Sequence, residues 1–484
     1  MSPQLISATL FGLHWAFVAA LIVRVIMLRR PAGTSMAWIA VIASAPFAGA
    51  VFYLLVGERR LGRARGRRIA ADLPAIGAWL DQLAGRHTVL RAAVPAHLDP
   101  IRRQAQAILR FPAQAGNHME LIDDFQAVFD ALVADIDAAR HHCHLCFYIW
   151  HEGGRTADVV EALVRAAERG VQCRALADGV GSEAFLVSAS ARRLRAAGVD
   201  LRAALPTGPL RSFFVRRDLR NHRKIVVIDD AIAYTGSQNL VDPRFFRQDA
   251  GVGEWVDAIA RVTGPAAAAM DGVFALDWSV ETERPLEAPS LEDSNPPDEG
   301  TDSLTVQVIP TGPGLRPEAL HQLLLSAIYA AQRELVMTTP YFVPDEAVLT
   351  ALLTAAQRGL EVTLIVPARN DSVLVRYASV AQFGELMASG VRIALFEGGL
   401  LHTKSVTVDG AFSIFGSVNL DMRSLWLNFE ISLFVYDEGF TRKLSALQQR
   451  YLAQSELLDP ETWRERGAVR RFTENAARLV GPLL

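Results

Sequence analysis

The chain has 484 residues and a formal net charge of −3, a length that allows two folded domains and an anchor. The charge is unevenly distributed, because residues 1 to 70 contain nine arginines and one glutamate, which leaves the remainder acidic on balance. An acidic soluble part is unusual in a nucleic-acid-binding protein, so we expect no nucleic-acid partner. The 3 cysteines, interpreted as reduced core residues, suit a cytoplasmic domain.

Two apolar segments open the chain. Residues 5–28 and 36–56 each approach the ~20 residues that a membrane-spanning helix requires, and the polar loop RRPAGTS separates them. We therefore expect a transmembrane helical hairpin over residues 1–57, with Pro46 tolerated inside the second span and Arg24 extending toward the interface. A cleaved signal peptide is disfavoured, because the first residues carry no basic side chain and a second span follows.

Arginines predict the orientation of this hairpin. Six follow the second span, whereas two lie in the loop before it, so the positive-inside rule places the catalytic part in the cytoplasm. The excess is modest, since Arg24, Arg29 and Arg30 count against it. The same arginines should attract anionic lipid headgroups. The six residues after the second span are Arg59, Arg60, Arg63, Arg65, Arg67 and Arg68.

The soluble part repeats a pattern of strand, helix, Arg-Gly turn and strand. Helices are expected near residues 157–168 and 346–357, and Gly170 and Gly359 suit the positions after their last turns. Alternating strands and helices predict the α/β class, with a sandwich built on a mixed or parallel sheet in each half.

These features predict the domain boundaries. We expect a basic juxtamembrane and connecting region over residues 58–115, without chemistry that the sequence identifies. A first α/β domain should cover residues 116–280 and a second residues 304–484. The intervening segment 281–303 is rich in Pro, Ser, Asp and Glu and reads as a surface linker.

Each half carries the same set of polar residues at the same internal spacing. The first copy is NHRKIVVIDDAIAYTGSQN and the second is LHTKSVTVDGAFSIFGSVN. Two copies at identical offsets indicate a paired active site. The matching pairs are His222 and His402, Lys224 and Lys404, Asp229 and Asp409, Ser237 and Ser417, and Asn239 and Asn419.

The residue types in this pattern favour phosphoryl or phosphatidyl transfer. Imidazole titrates near neutrality, so one histidine can attack an electrophile while the other protonates the leaving group. Each lysine lies two residues after its histidine, on the same face of an extended strand, where it can bind a phosphate oxygen. We predict that Ser237, Asn239, Ser417 and Asn419 donate further hydrogen bonds to the phosphate. This chemistry requires no metal ion and no cofactor.

The carboxylates near the motifs have two candidate roles. Asp229 and Asp409 belong to the signature and are candidate catalytic residues, yet both fall between two apolar runs where Asp-Gly signals a hairpin. Holding a turn is an equally open role for them. Glu254 and Glu430 each precede an alternating apolar strand, and we predict that they hold the imidazole tautomers.

The segment HHCHLCFYIW contains Cys-x-x-Cys and several histidines, which suggests a metal site. Its second part is a strong strand pattern, however, and residues three apart on a strand face opposite sides. Cys143 and Cys146 therefore cannot chelate one ion together. We expect no metal site in this segment.

The paired motifs resemble the phospholipase D superfamily, whose duplicated HxKxxxxD signature is present here in full, twice. The sequences that flank both motifs, together with the membrane segment, are most similar to bacterial cardiolipin synthases. The resemblance covers essentially the whole chain. It implies two phospholipase D-like α/β sandwich domains that form a pseudo-twofold pair after the transmembrane hairpin, in the inner membrane of a bacterium.

The resemblance also implies a reaction. One phosphatidylglycerol would transfer its phosphatidyl group to another through a phosphatidyl-histidine, with His222 as nucleophile and His402 as acid and base, although the two motifs are too alike to separate. The implied partners are phosphatidylglycerol and anionic membrane lipid. Membrane embedding favours transfer over hydrolysis by water. A phospholipase D-type hydrolase, a different headgroup transferase, a superfamily nuclease and an inactive scaffold remain alternatives.

Two further segments have open roles. The insert over residues 206–220 contains Phe213 and Phe214 among arginines, and either contacts an anionic membrane or forms a partly packed loop. Trp426 and Leu427, after the second motif, either face lipid or pack in the core.

Overall fold

The structure, a computed structural model, describes residues 3–28, 32–58, 61–87, 94–206, 218–286, 288–289 and 303–479. The chain divides into an N-terminal unit within residues 1–66 and a catalytic unit that begins at residue 67. Of the insert over residues 206–220, the segment that contains Phe213 and Phe214 lies outside the described residues, as does most of the predicted linker.

Three helices and a π-helical turn at Tyr53–Gly57 make up the N-terminal unit: α1 (Pro3–Met27), α2 (Ala32–Ser44) and α3 (Pro46–Phe52). Among the described residues, Thr9–Met27 is the one stretch of helix long and apolar enough to cross a membrane. The second predicted span is broken rather than continuous. Ala45 leaves the helical conformation (φ −131°, ψ 72°), because a proline follows it and restricts the preceding residue. Pro46 thus begins a new helix, so the second apolar segment forms two consecutive helices and a π-helical turn rather than one continuous helix.

An apolar seam joins these helices. Val18, Leu21 and Val25 of α1 are buried in one cluster with Ile42 and Tyr53. At one end of this unit an ion pair is formed, in which Arg24 Nη2 donates to Glu58 Oε2 (2.8 Å) and the Tyr53 hydroxyl donates to Glu58 Oε1 (2.8 Å). The charge on Arg24 is therefore neutralised within the unit.

The connecting region and the first half of the catalytic unit form these elements: α4 (Arg63–His87), α5 (Asp99–Leu109), β1 (Ala113–Ile122), α6 (Phe125–Ala138), β2 (His142–Phe147), α7 (Thr156–Glu168), β3 (Gln172–Asp178), α8 (Glu183–Leu186), α9 (Ala189–Ala196), β4 (Asp200–Ala204), β5 (Ile225–Ile228), β6 (Ile232–Gly236), β7 (Trp255–Val256), β8 (Ile259–Thr263) and α10 (Pro265–Thr282).

The second half forms the following elements: β9 (Leu304–Thr311), α11 (Ala319–Ala330), β10 (Glu334–Thr338), β11 (Phe342–Val343), α12 (Glu346–Gln357), β12 (Glu361–Pro367), α13 (Val373–Ala388), β13 (Arg392–Phe396), β14 (Leu400–Leu401), β15 (Ser405–Val408), β16 (Phe412–Gly416), β17 (Leu420–Asp421), α14 (Met422–Trp426), β18 (Glu430–Val435), α15 (Glu438–Leu452), β19 (Ser455–Leu457), α16 (Pro460–Arg464) and α17 (Ala468–Leu479).

One hydrogen-bonded ladder joins the two halves. Its strand order is β19-β13-β12-β10-β15-β16-β18-β9-β1-β8-β6-β5-β2-β3-β4. Counted outward from the central β9–β1 pair, the strands on one side correspond one to one with those on the other, apart from β19 at the edge. In each half three strands are parallel and the hairpin beside them is antiparallel, so each half has a mixed sheet. The antiparallel β1–β9 pair thus relates two copies of one fold.

Helices cover both sheets. The outer helices pack on their own half, α6 and α7 on the first sheet and α11 and α12 on the second, in two separate apolar clusters. A third cluster between the halves contains side chains from α10 and α15 and from strands of both sheets. The connecting region contributes to these cores as well, because Trp79 and Leu83 of α4 and Ile101 of α5 are buried in them.

The predicted repeat helices agree with α7 and α12. Both end at an Arg-Gly turn in which Gly170 (φ 91°) and Gly359 (φ 89°) have the left-handed conformation that glycine adopts without strain. The chain then turns into the parallel strands β3 and β12. The two halves thus have the same connection between helix and parallel strand, so the sheets next to the two histidine-bearing loops are built alike.

Candidate active site

Each signature histidine lies in extended chain just before a hairpin, His222 before β5–β6 and His402 before β15–β16. Side chains alternate along extended chain, so Lys224 and Lys404 lie on the same side as their histidines. Lys224 Nζ donates to the His222 carbonyl (2.7 Å) and Lys404 Nζ to the His402 carbonyl (2.5 Å). All four side chains are buried.

A carboxylate from the opposite half binds each imidazole. Glu430 Oε2 lies 2.9 Å from His222 Nδ1, and Asp257 Oδ1 lies 2.6 Å from His402 Nδ1. A carboxylate can only accept, so each Nδ1 carries the proton and each Nε2 keeps its lone pair. The two halves therefore complete each other, and the histidines form one site.

Short backbone contacts fix this exchange between halves. The His222 N–H donates to the Phe429 carbonyl (2.8 Å), next to Glu430. The His402 N–H donates to the Val256 carbonyl (2.8 Å), next to Asp257. The β7–β14 pair extends this second contact as a short parallel ladder. Each histidine and its carboxylate are thus held by main chain as well as by side chain.

The two serines of the motifs bind these carboxylates. Ser237 Oγ donates to Asp257 Oδ1 and Ser417 Oγ donates to Glu430 Oε2, both at 2.5 Å. Each hydroxyl also accepts the backbone N–H of the residue after the carboxylate, at 3.1 and 3.0 Å. The hydroxyl protons are directed at the carboxylates and not at a substrate, which corrects the predicted phosphate-binding role of both serines.

The two asparagines differ from each other. Asn239 Oδ1 accepts the Ile149 N–H (3.1 Å), while the buried Asn239 Nδ2 has no hydrogen-bond partner among the described residues. The Asn419 side chain instead bonds to Asp421, a buried carboxyl. The Asn239 amide therefore keeps a donor that no described residue accepts, whereas Asn419 supports a neighbouring carboxyl.

Burial dominates the electrostatics of the site. Removal from water lowers the pKa of His222 to about 4 and that of His402 to about 3, and the nearby lysines act in the same direction against the carboxylates. Burial also lowers the pKa of Lys224 to about 8, and that of Lys404 well below its usual range. At neutral pH both imidazoles of the ligand-free site are neutral.

The same burial acts on the two carboxyls, where it favours the neutral acid. The adjacent imidazole and lysine outweigh it and hold the pKa of Glu430 and of Asp257 below their usual ranges. Both stay ionised near neutral pH and keep the Nδ1 protons in place. The neutral Nε2 of each ring is consequently available to attack phosphorus.

The signature aspartates lie at the other ends of their strands. Asp229 and Asp409 begin the hairpin turns β5–β6 and β15–β16 and have positive φ angles of 51° and 54°. The Asp229 carboxylate accepts three backbone N–H groups at the start of β2, each at 2.8 Å. The Asp409 carboxylate accepts three at the start of β10, at 2.7 to 3.0 Å. Their candidate catalytic role is therefore corrected to a structural one.

Asp257, and not Glu254, holds the His402 imidazole. Glu254 is exposed, and its backbone carbonyl accepts the Leu400 N–H (2.9 Å) in the β7–β14 ladder. The sequence prediction assumes one alternating strand that starts at Glu254. The chain instead forms the short strand β7 at Trp255–Val256, and β8 begins only at Ile259. The prediction that Glu254 holds an imidazole is wrong, because Asp257 is the carboxylate that lies against His402 Nδ1.

A register signal identifies the correct carboxylates. Gly236 pairs with Ile259, and Gly416 pairs with Ser432. In both halves the carboxylate lies two residues before the partner of the Gly-Ser glycine, where it meets the serine hydroxyl. This shared offset is visible only once the strand pairing is known.

One cluster of metal-ligating side chains lies away from this site, at the start of β2. His142, His144 and Asp271 place one ligand atom each within 4.8 Å of one another. Arg174 Nη1 donates to His144 Nε2 (3.1 Å), which leaves Nδ1 to carry the proton directed at Asp271 (2.6 Å). Since both nitrogens of His144 are engaged, the cluster is a hydrogen-bond network rather than a set of free ligands.

The cysteines and the residues after the second motif are packed. Cys143 and Cys146 lie in different apolar clusters, on opposite faces of β2, as strand alternation requires. All three cysteines are free thiols in buried positions. Leu427 is buried, and the Trp426 ring packs 4.6 Å from the His321 ring while its Nε1 donates to Asp345 (3.3 Å). Leu427 belongs to the core, and Trp426 is half-buried and packed against it.

Comparisons with known proteins match this architecture. The family described as "Cardiolipin synthase, PLD-like domain" matches residues 132–257 and 324–452, and "Phospholipase_D-nuclease N-terminal" matches residues 16–58. The first family thus matches each half of the ladder once. Each matched segment contains one signature histidine and the carboxylate that binds the histidine of the other half.

Relatives of known name cover the whole chain. Cardiolipin synthase A of Salmonella arizonae is 46% identical over 474 residues, covering 97% of each chain. Cardiolipin synthase A of Erwinia tasmaniensis is 46% identical over 477 residues, covering 98% of this chain and 97% of its own. The phosphatidylserine synthase of Haemophilus influenzae Rd KW20 has the same fold, with a TM-score of 0.59 at 16% identity over 80% of this chain and 100% of its own. The chain therefore belongs to the cardiolipin synthase family of the phospholipase D superfamily.

Proposed function

We propose that the chain is a phosphatidyltransferase that converts two phosphatidylglycerol molecules into cardiolipin and glycerol. The observation that carries this proposal is the pair of neutral imidazoles, each held at Nδ1 by a carboxylate of the other half (2.9 and 2.6 Å), with no hydrogen bond to either Nε2 from the described residues. The full-length relatives named cardiolipin synthase A support the same reaction. Within the chain, we assign the reaction to a domain pair over residues 116–280 and 304–484.

In the first step, His222 Nε2 attacks the phosphorus of one phosphatidylglycerol. The bond from phosphorus to the glycerol headgroup breaks, and His402 donates its Nε2 proton to the departing glycerol oxygen. The phosphatidyl group remains on His222 as a phosphoramidate. Lys224 and Lys404 bind the phosphate oxygens, and the Asn239 amide supplies a further donor.

In the second step, the now neutral His402 takes the proton from a terminal hydroxyl of a second phosphatidylglycerol. That oxygen attacks phosphorus, the bond to His222 breaks, and cardiolipin forms. One phosphodiester is broken and one is made, so we expect the reaction to run in both directions. Water in place of the lipid hydroxyl would give phosphatidic acid from the same intermediate.

The charge of the substrate explains how a proton enters a site whose imidazoles resist protonation. A phosphodiester anion between the two rings opposes the effect of burial and raises their pKa values. Substrate and proton therefore bind together. The proposal predicts a bell-shaped dependence of kcat on pH, because turnover needs one neutral and one protonated ring.

The principal experiment uses purified protein in mixed micelles with labelled phosphatidylglycerol as the sole phospholipid. We expect cardiolipin and free glycerol in equal amounts from the wild type, and neither from His222→Ala or His402→Ala. His118→Ala, which removes an exposed histidine of β1, should retain wild-type turnover. Phosphatidic acid as the main product would identify a hydrolase and overturn the transferase proposal.

A substrate with a good leaving group distinguishes the two histidines. A phosphatidyl ester of p-nitrophenol needs no protonation on departure, so it bypasses the general acid but not the nucleophile. We expect His402→Gln to release nitrophenol in an initial burst, while His222→Gln releases none. The reverse result would exchange the two roles.

We also propose a multi-pass arrangement in the bacterial inner membrane with the catalytic unit in the cytoplasm. The arginines that follow the apolar segments support it. The native cysteines are buried, so a cysteine at the exposed Arg442 gives a clean test. We expect an impermeant thiol reagent to label Arg442→Cys in inverted vesicles and not in intact cells. Labelling in intact cells would reverse the orientation.

A further inference from the structure

The C-terminal helix α17 presents an apolar stripe outward. Val469, Phe472 and Leu479 expose 72 to 80% of their surface, and the exposed Ala476 lies between them. The spacing of these four residues, at i, i+3, i+7 and i+10, places them on one face of the helix. The opposite face is packed, because Ala477 is buried against Ala378 of α13.

The first turns of α13, which packs against α17, also carry exposed apolar residues. Val373 is 70% exposed, and Leu374 and Tyr377 are exposed beside it. α13 and α17 pack along each other, and the Ala378–Ala477 contact brings the start of one next to the end of the other. We name the exposed residues of both helices the apolar platform. Its members are Val373, Leu374, Tyr377, Val469, Phe472, Ala476 and Leu479.

Arginines border the platform. Arg470, Arg471 and Arg478 on α17 and Arg376 on α13 are exposed. The single acidic residue of α17, Glu474, is buried and is bound by Arg466 Nη1 (2.9 and 3.0 Å) and by Arg470 (3.1 Å). The exposed apolar residues of α17 are therefore flanked by arginines, of which Arg470 is ion-paired with Glu474.

A chain of contacts leads from the segment before α13 toward the active site. Asp371, two residues before α13, is bound by Arg247 (3.1 Å). The neighbouring Phe246 packs edge-on against Trp255 with ring centres 5.0 Å apart, and Trp255 packs 4.3 Å from the His402 ring. The start of α13 is thus connected to a catalytic imidazole through direct contacts.

The first half places an apolar residue at the corresponding position. The Asp178 carboxylate accepts the N–H of Val180 and the N–H of Asn221, both at 2.9 Å, and Asn221 precedes His222. Val180 is exposed, as are Val187 and, between the halves, Phe245. Val180, Val187 and Phe245 are thus further exposed apolar side chains outside the platform.

We propose that the apolar platform is a membrane-contact surface, which seats α17 and the start of α13 in the headgroup layer of an anionic bilayer. An amphipathic helix with apolar residues flanked by arginines has the chemistry for that layer. A second copy of the chain is a poorer occupant, because a self-pairing platform brings the same arginines together. The inference rests on the proposed function only in taking lipid as the substrate.

Labelling of the full-length protein in nanodiscs that contain phosphatidylglycerol tests the contact without catalysis. A fluorophore of the NBD type at Phe472→Cys should shift to shorter emission wavelength and be quenched by lipids with a nitroxide on the acyl chain. The control is Arg442→Cys on α15, 72% exposed and near Asp409 at the far ends of the strands. Equal emission and equal quenching at both positions would overturn the proposal.

A charged substitution tests the consequence for turnover. Phe472→Asp should lower transfer in bilayers at least fivefold, yet leave transfer of a short-chain, monomeric phosphatidylglycerol within twofold of wild type. Arg442→Asp should leave both unchanged. An equal loss on both substrates would indicate a structural effect, and cross-linking of Phe472→Cys between two copies would identify a self-interface; either result overturns the proposal. Absence of transfer in the wild type would contradict the proposed function alone, since the quenching result stands independently.

Discussion

The two catalytic loops use the same reacting groups but differ in the residue between histidine and lysine. In the first loop this residue is Arg223, which is fully buried and ion-paired with Asp277 of α10. Its Nε also donates to the Glu430 carbonyl (3.0 Å). In the second loop the residue is Thr403, whose hydroxyl bonds to the Val256 carbonyl (3.2 Å).

The two halves of the site are therefore alike in their reacting groups but differ in the interactions that support those groups. The carboxylate that holds His222 is positioned by a buried guanidinium, whereas the one that holds His402 depends on neutral hydrogen bonds. Losing one partner of a buried ion pair costs about 3–5 kcal/mol of stability, whereas losing one partner of a neutral hydrogen bond costs about 1–3 kcal/mol. Substitutions of the reacting groups should therefore have similar effects in the two loops. Substitutions of Arg223 and Thr403, which support the loops, should have different effects.

The largest expected effect comes from the carboxylates. Asp257→Asn and Glu430→Gln remove the charge that holds each Nδ1 proton, and by analogy with other oriented imidazoles we expect kcat to fall by about 10²–10⁴-fold in each. Transfer assays in micelles measure it. Glu254→Gln, three residues from Asp257, should change kcat by less than about threefold. A larger loss in Glu254→Gln than in Asp257→Asn would contradict the observed pairing.

The second effect separates the two loops. Arg223→Thr leaves Asp277 buried without its ion-pair partner, and we expect the free energy of unfolding to fall by about 3–5 kcal/mol. Thr403→Val removes neutral hydrogen bonds and should lower it by about 1 kcal/mol. Denaturant unfolding in detergent compares the two variants. Equal losses would show that the supports are energetically alike.

The double variant Arg223→Met with Asp277→Leu is the control for that result. Removing both charges avoids an unpaired buried carboxylate, so stability should recover beyond that of Arg223→Thr. Turnover should stay reduced, because the contact between Arg223 and the Glu430 carbonyl is absent. If turnover recovered together with stability, Arg223 would have no role in positioning Glu430.

A smaller effect is expected from the hairpin aspartates. Asp229→Asn and Asp409→Asn each lose charge-assisted bonds to three backbone N–H groups, which we expect to lower the free energy of unfolding by roughly 1–3 kcal/mol. Turnover of the folded variants should remain within about threefold of wild type. A loss of activity at unchanged stability would return both residues to the catalytic set.

The smallest effect is the uptake of a single proton. Burial holds the pKa of His222 at about 4 and that of His402 at about 3, so both rings are neutral at pH 7. A bound oxyanion such as tungstate raises these values, and a pKa that moves above 7 takes a proton from solution. Calorimetry in buffers of different ionisation enthalpy should give an uptake of about one proton, reduced in His402→Gln. Binding heats that are independent of buffer would contradict the electrostatic argument.

Local patterns in the sequence predicted the repeat and the positions of the reacting groups, because they depend on alternation and spacing along a few residues. The hairpins at Asp229 and Asp409 and the helices α7 and α12 belong to this class. Pro46 is the exception, since the sequence pattern is apolar across it while the backbone before it cannot stay helical.

The supports of the site were not predictable, because they depend on which strands pair. His222 and Glu430 are 208 residues apart, and His402 and Asp257 are 145 apart. Asp257 and Glu254 differ by only three positions, and nothing in the local pattern marks which one faces an imidazole. The serines were assigned to the phosphate for the same reason, since their true partners lie on strands whose register the sequence does not state.

The exchange of carboxylates between the halves has a consequence for biosynthesis. The apolar segments and His222 leave the ribosome long before Glu430, which is 208 residues behind its histidine. A nascent or prematurely terminated chain can therefore be anchored in the membrane without a complete pair of imidazoles. The bilayer is exposed to the reactive site only after almost the whole protein has been translated, which makes completion of the chain a safeguard for the lipids around it.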